Sequence, residues 1–144
     1  MNTISKIILI IVLITSSISG FSQEAFDIKK FNFEKEKILN VIINSPQFDS
    51  IYHSKKVVFI ETELLSKYTP LKLRRGKCKV KIKSKGEIKT NEEYVDLGDF
   101  TCDPNNMIRV RVQIGNSVKH RILNLVLEKN DGEWKISNHL IMDN

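Results

Sequence analysis

The sequence predicts an α+β fold, in which an N-terminal helix and one short helix pack on a curved, mostly antiparallel sheet of four to six strands. Apolar residues first recur at helical spacing and later alternate with polar residues. An Asp-Gly pair between the last two alternating segments is typical of a tight hairpin turn. A chain of 144 residues with 41% hydrophobic and 28% charged residues is expected to fold as one domain.

Residues 1–22 have the order of a secretory signal peptide. A positively charged start is followed by eight unbroken apolar residues, and the small residues Gly20 and Ser22 precede a cut before Gln23. The apolar run is well short of the about 20 residues that cross a bilayer. We therefore expect a cleaved signal peptide, a periplasmic or extracellular location, no membrane anchor after cleavage, and one domain over residues 23–144.

Two helices are predicted ahead of the strands. The first begins near Phe33, with Asn32 as its N-cap. Its apolar positions are three and four residues apart: Ile38, Leu39, Ile42 and Ile43. Ser45 and Pro46 end this helix and begin the short one, because proline is favoured in the first turn of a helix.

The strands are predicted from short apolar runs and from alternation with a period of two. A buried strand covers 57–60, and two further strands alternate around 77–83 and 108–114. The polar stretch 84–106 is expected to hold a loop and one short strand. Strands over residues 121–129 and 133–142 complete the sheet.

The last two strands can be aligned by counting outward from Asp131-Gly132. This alignment opposes Glu128 with Lys135 and continues one for one along both strands. Asn138 then lies on the core face, where a polar side chain is a candidate for a pocket. The opposite face carries three branched apolar residues, and we expect either a helix or a second copy in a homodimer to cover it. Those residues are Ile122, Val126 and Ile141.

The segment from Leu125 to Ile136, LVLEKNDGEWKI, resembles the terminal hairpin of nuclear-transport-factor-2-like (SnoaL-like) domains. The resemblance implies a small domain in which helices close over a curved antiparallel sheet, and with it a small-molecule-binding pocket or a pocket enzyme. A cystatin-like sheet wrapped on one helix is the alternative fold. No catalytic residue of the family matches this chain by motif.

Positive charge is concentrated between residues 72 and 89. The full chain has a formal charge of +6, and this segment alone holds nine basic residues against Glu87. Five lysines are expected on one face of one strand, and Arg109 and Arg111 alternate in the same way on a later strand. Such a surface could bind an anionic polymer or an acidic protein. The alternative is a solvated face, or an edge strand on which lysines prevent aggregation. The five lysines are Lys77, Lys79, Lys81, Lys83 and Lys85.

Cys78 and Cys102 are predicted to form a disulfide, because exported proteins meet oxidising conditions. The bridge would join the basic segment to the acidic segment 91–103, whose carboxylates could neutralise the lysines. Two buried thiols are the alternative. Neither cysteine has the ligand spacing of a zinc site.

The function predicted from these observations is that of an exported binding or interaction module, and an enzyme is not expected. The sequence has no phosphate-binding glycine loop, nucleophile elbow or metal-ligand cluster. We therefore predict no cofactor, no metal and no catalytic residue. The alternatives are the SnoaL-like pocket protein and an inhibitor or immunity-type protein that blocks a partner enzyme.

Overall fold

A computed structural model describes residues 33–68, 71–103 and 106–143. The chain divides into two compact units, Met1–Phe33 and Glu34–Asn144, and the fold below is that of the second unit. The predicted signal peptide and its cleavage site lie outside the described residues and stay predictions.

Two helices precede the strands, and local features of the sequence explain where each one forms. Residues 33–43 are helical (α1), and the four apolar residues at helical spacing in this segment are at most 1% exposed. A second helix of one turn, α2, covers Pro46–Asp49. Ser45 caps α2, because its hydroxyl accepts a hydrogen bond of 3.2 Å from the backbone N–H of Phe48.

The described residues form eight strands, six of which make one open sheet. The order in this sheet is β4-β1-β5-β6-β7-β8, and β2 pairs separately with β3. β1 is parallel to β4 and to β5, whereas the other three neighbouring pairs are antiparallel. The α+β class and the mostly antiparallel six-stranded sheet are thus confirmed. The bounds are β1 Val58–Ile60, β2 Arg74–Arg75, β3 Cys78–Lys79, β4 Lys81–Lys83, β5 Tyr94–Cys102, β6 Met107–Gly115, β7 His120–Asn130 and β8 Glu133–Asp143.

The core lies on one face of the sheet, which we call the core face. Alternate residues of β6 and β7 are buried there, as the period of two predicts. Leu123, Leu125 and Leu127 are at most 1% exposed. The opposite side of the sheet, which we call the outer face, carries the alternating polar residues.

The final hairpin confirms the predicted alignment only next to its turn. Asp131 and Gly132 have φ values of 53° and 81°, as a tight primed turn requires, and Glu128 pairs with Lys135. The pairing then shifts by one residue between Val126 and Leu127. This bulge turns over the rest of β8, so the prediction that Asn138 lies on the core face is wrong. The prediction that Ile141 lies on the opposite face is wrong for the same reason, because Ile141 pairs with the core-face residue Leu123. Asn138 now pairs with Val126 on the outer face, and Leu140 is 58% exposed.

The predicted single basic strand within 72–89 is wrong. Gly76, with φ of 56°, and Lys77 form the turn between β2 and β3, where a left-handed residue is needed. Lys79 ends β3, Lys81 and Lys83 lie in β4, and Lys85 begins the 3-10 helix Lys85–Glu87. The lysines are therefore spread over a turn, two strands and a helix.

The predicted disulfide between Cys78 and Cys102 is not formed. Cys78 pairs with Arg75, whose guanidinium donates to the carbonyl oxygen of Ser54 at 2.8 Å. Ser54 in turn donates its backbone N–H to Glu93, just before β5 begins. Cys102 is the last residue of β5, which is nine residues or about 30 Å long. The two cysteines thus lie towards opposite ends of that strand.

Within the described ranges, no helix has the length and apolar character needed to cross a membrane.

Candidate functional site

Six lysines line two neighbouring grooves beside β4, and we call this surface the lysine edge. One groove has a volume of about 390 Å³ and the other of about 480 Å³, and both include Lys81 and Lys83. Five of the six side chains belong to exposed residues, and Lys83 is half-buried. The lysine edge consists of Lys55, Lys56, Lys67, Lys79, Lys81 and Lys83.

The acidic segment neutralises the lysine edge at one place. Glu92 accepts two hydrogen bonds from the ammonium group of Lys83, at 2.7 and 2.8 Å. The bond from Lys83, followed by one from the backbone N–H of Lys89, holds the pKa of the Glu92 carboxyl below its usual value. Lys67 lies 3.8 Å from Glu87. Among the described residues, the other four lysines have no carboxylate within 4.0 Å.

Buried groups hold the segment that carries Lys55 and Lys56. The Tyr52 hydroxyl donates to the carbonyl oxygen of Lys56 at 2.8 Å and accepts from the backbone N–H of Val58 at 3.3 Å. Burial raises the pKa of Tyr52 to about 12, so this hydroxyl stays protonated at physiological pH. The Arg75 guanidinium lies 5.3 Å from the Tyr52 ring centre. The buried Tyr52 side chain therefore holds the backbone of this segment, while Lys55 and Lys56 are exposed to solvent.

The other predicted basic residues lie in a different place, in a cleft on the outer face that we call the arginine cleft. Its volume is about 370 Å³. Arg111 lies opposite Asn124, and Asn124 lies opposite Leu140. In the next row along the strands, Arg109 lies opposite Val126, and Val126 lies opposite Asn138. Asp99 and Thr101 from β5 also line the cleft.

Both guanidinium groups of the arginine cleft lack an acidic partner among the described residues. Arg109 and Arg111 are exposed, and neither lies within 4.0 Å of a carboxylate in that part of the chain. Two other arginines of the described residues are paired: Arg75 contacts Asp49 at 2.6 Å, and Arg121 contacts Asp143 at 2.7 Å. The charges at the arginine cleft are therefore available to a ligand.

The lysines and the two arginines were predicted to form one candidate surface, but the structure separates them. β4 and β6 are three strand positions apart, which corresponds to about 14 Å. Asp96, on β5 between them, pairs with Gln113 and adds a negative charge to the gap. Arg109, Arg111 and Asn138 come together, whereas Lys77 and Lys85 lie outside both sets of lining residues.

Several residues that line the two surfaces are not among those predicted from the sequence. Lys55 and Lys56 form a basic dipeptide directly before a buried strand, which is a visible signal for an exposed charged rim. Asn124 interrupts a run of apolar residues in the sequence, and this interruption is also a signal that could have identified it. Asp99 enters the cleft through a bulge in β5, where the pairing shifts between Leu97 and Phe100, and no motif predicts that shift.

No family model, curated protein or solved structure matches this chain. The described residues also include no group of three or more His, Cys, Asp or Glu side chains able to hold a metal ion.

Proposed function

We propose that this protein is an exported, non-enzymatic binding module that holds an anionic polymer against the lysine edge. The observation that carries the proposal is the convergence of six lysines on two adjoining grooves. Among the described residues only two of the six have a carboxylate within 4.0 Å, Lys83 with Glu92 and Lys67 with Glu87. Export is supported by the order of residues 1–22, and an anionic polysaccharide is the polymer that suits that location.

The physical basis is neutralisation of a densely charged chain. A polyanion carries condensed counterions, and each lysine that contacts it releases some of them to solution. Binding should therefore weaken steeply as salt rises, because exposed charges are screened beyond about 8 Å at physiological ionic strength. The two grooves meet at Lys81 and Lys83, so an extended chain could contact lysines of both.

The buried core face favours surface binding over the enclosed pocket of the SnoaL-like alternative. Apolar side chains from the helices, from β1 and from β5 to β7 fill that face, with Ile38, Phe59 and Val112 each at most 1% exposed. The family resemblance stays a prediction.

The test compares two triple variants of equal charge. Lys55, Lys79 and Lys81 are replaced by Gln in the first, and three exposed lysines elsewhere are replaced in the second, namely Lys37, Lys119 and Lys135. Lys83 is left in place because it supports Glu92. We expect the first variant to elute from immobilised heparin at clearly lower salt than the second. Circular dichroism checks that both stay folded.

Equal elution of the two variants would contradict the proposal, because it would show that retention follows net charge and not the lysine edge. Single-stranded DNA serves as a second polyanion. Tighter binding of DNA than of heparin at matched salt would contradict the assignment to a polysaccharide.

A further inference from the structure

The arginine cleft has the construction of a small-ligand site distinct from the lysine edge. Two β-bulges interrupt the antiparallel part of the described sheet, one in β5 between Leu97 and Phe100 and one in the β7–β8 pairing. Both border this cleft. Bulges are found next to functional sites because the extra residue re-aims the side chains that follow it.

Each bulge supplies side chains that regular pairing would direct elsewhere. In β8, the shift at Val126 turns Asn138 and Leu140 to the outer face, beside the two arginines. In β5, the shift brings Asp99 into the lining. Gly98 permits the close approach of β5 to β6, since a Cβ there would lie 3.2 Å from the backbone oxygen of Arg111.

We propose that the arginine cleft binds a small organic carboxylate, with Arg109 and Arg111 contacting its carboxylate group. A guanidinium presents parallel donors that match a planar carboxylate, and two of them lie on alternate positions of one strand, about 7 Å apart. The amides of Asn124 and Asn138 can each donate and accept a hydrogen bond at the same ligand.

The charge of the cleft selects a monoanion. Two guanidinium groups and the Asp99 carboxylate leave one net positive charge, which one carboxylate balances. A phosphate dianion would leave an excess negative charge beside Asp99. Val126 and Leu140 offer an apolar surface to the remainder of the ligand, and a volume of about 370 Å³ suits a molecule of modest size.

The experiment uses hexanoate as the probe, with hexanol and inorganic phosphate as comparisons, and ligand-observed NMR of the intact protein as the readout. Hexanoate should bind in the millimolar range, and hexanol and phosphate should bind much more weakly. Arg111→Gln should weaken hexanoate binding by about tenfold or more, the scale of a lost charge-assisted hydrogen bond. Arg74→Gln is the control, since Arg74 is exposed on β2 and outside the cleft.

Three outcomes would overturn the proposal. The first is equal loss of hexanoate binding in Arg111→Gln and Arg74→Gln. The second is binding of phosphate as tight as that of hexanoate. The third is a molecular mass for Asn138→Asp that differs from that of the wild type in sedimentation. Such a difference would show that a second copy covers the outer face, as the predicted homodimer requires. Asn138→Asp keeps the size of the side chain and adds one negative charge, so in a folded monomer it should only weaken hexanoate binding.

Discussion

Glu34→Gln is expected to destabilise the fold although it only replaces one carboxylate oxygen by an amide nitrogen. Glu34 lies on α1 and is 6% exposed. Its carboxylate accepts hydrogen bonds from the ammonium group of Lys129 and from the indole N–H of Trp134, at the turn end of the β7–β8 hairpin. This cluster ties the first helix to the last hairpin, about 100 residues away in sequence.

The magnitude follows from which bonds the substitution removes. Gln keeps a carbonyl oxygen that can accept from Trp134, so the lost part is the charged interaction with Lys129, whose side chain is 26% exposed. A hydrogen bond to a charged group contributes about 1.5–3 kcal/mol, so Glu34→Gln should cost about 2 kcal/mol. Glu34→Ala should cost about 1–3 kcal/mol more, because it leaves the buried indole N–H without a partner.

The cost of Glu34→Gln should depend on pH. Burial by itself raises the pKa of the Glu34 carboxyl, but the bonds from Lys129 and Trp134 outweigh it and hold that pKa below its usual value. Stability gained in this way is fully present above the unfolded pKa of about 4.3 and is lost as pH falls through the lower folded pKa. The gap between the wild type and Glu34→Gln should therefore be largest near neutral pH and close under acid conditions.

Urea unfolding, followed by the fluorescence of the chain's single tryptophan, Trp134, measures the effect at each pH. Glu133→Gln is the control, because Glu133 is an exposed residue of the same hairpin with no ion pair among the described residues. A pH-independent cost for Glu34→Gln, or an equal cost for Glu133→Gln, would show that the Glu34 carboxylate does not stabilise the fold through its charge.

Three further predictions concern the turn, the cysteines and a buried hydroxyl. A Cβ added at Gly132 or at Gly86 meets open space, so the two positions differ in backbone conformation and not in crowding. Gly132→Ala should lower the free energy of unfolding by about 1 kcal/mol because φ is 81° there, whereas Gly86→Ala should be close to neutral in chemical unfolding. Protein purified without reductant and then unfolded should be alkylated at both Cys78 and Cys102, and a mass two hydrogens lower with no alkylation would contradict the structure. Tyr52→Phe should cost about 1 kcal/mol through the lost bonds to the segment before β1.

The parts of the fold that depend on periodicity were predictable from the sequence, and the parts that depend on strand irregularity were not. The alternation of apolar residues predicted β6 and β7, and Asp131-Gly132 predicted the turn between the last strands. The shift beyond Leu127 has no sequence signature, and one extra residue there reverses which face Asn138 occupies. The same alternation suggested one basic strand around 77–83, because it carries no information about the break at Val80, where the chain leaves the β2–β3 pair and enters the six-stranded sheet.

The candidate site was predictable in composition but not in arrangement. Arg109 and Arg111 were singled out by their alternation on one strand, and they do share the outer face. Their separation from the lysines by β1 and β5 follows from the strand order, which depends on long-range pairing that the sequence does not display. Asp99 enters by a bulge and was missed for the same reason.

If the lysine edge and the arginine cleft are two separate anion sites, amide mapping by two-dimensional NMR on one labelled sample should place their ligands at different residues. A heparin oligosaccharide should shift the amides of β4 and of Lys55 and Lys56, and leave those of Arg109 and Arg111 unchanged. Hexanoate should do the reverse, shifting residues around Arg111, Asn124 and Asn138. The same set of shifts for both ligands, or no localised shifts with either, would show that the protein does not have two separate anion sites.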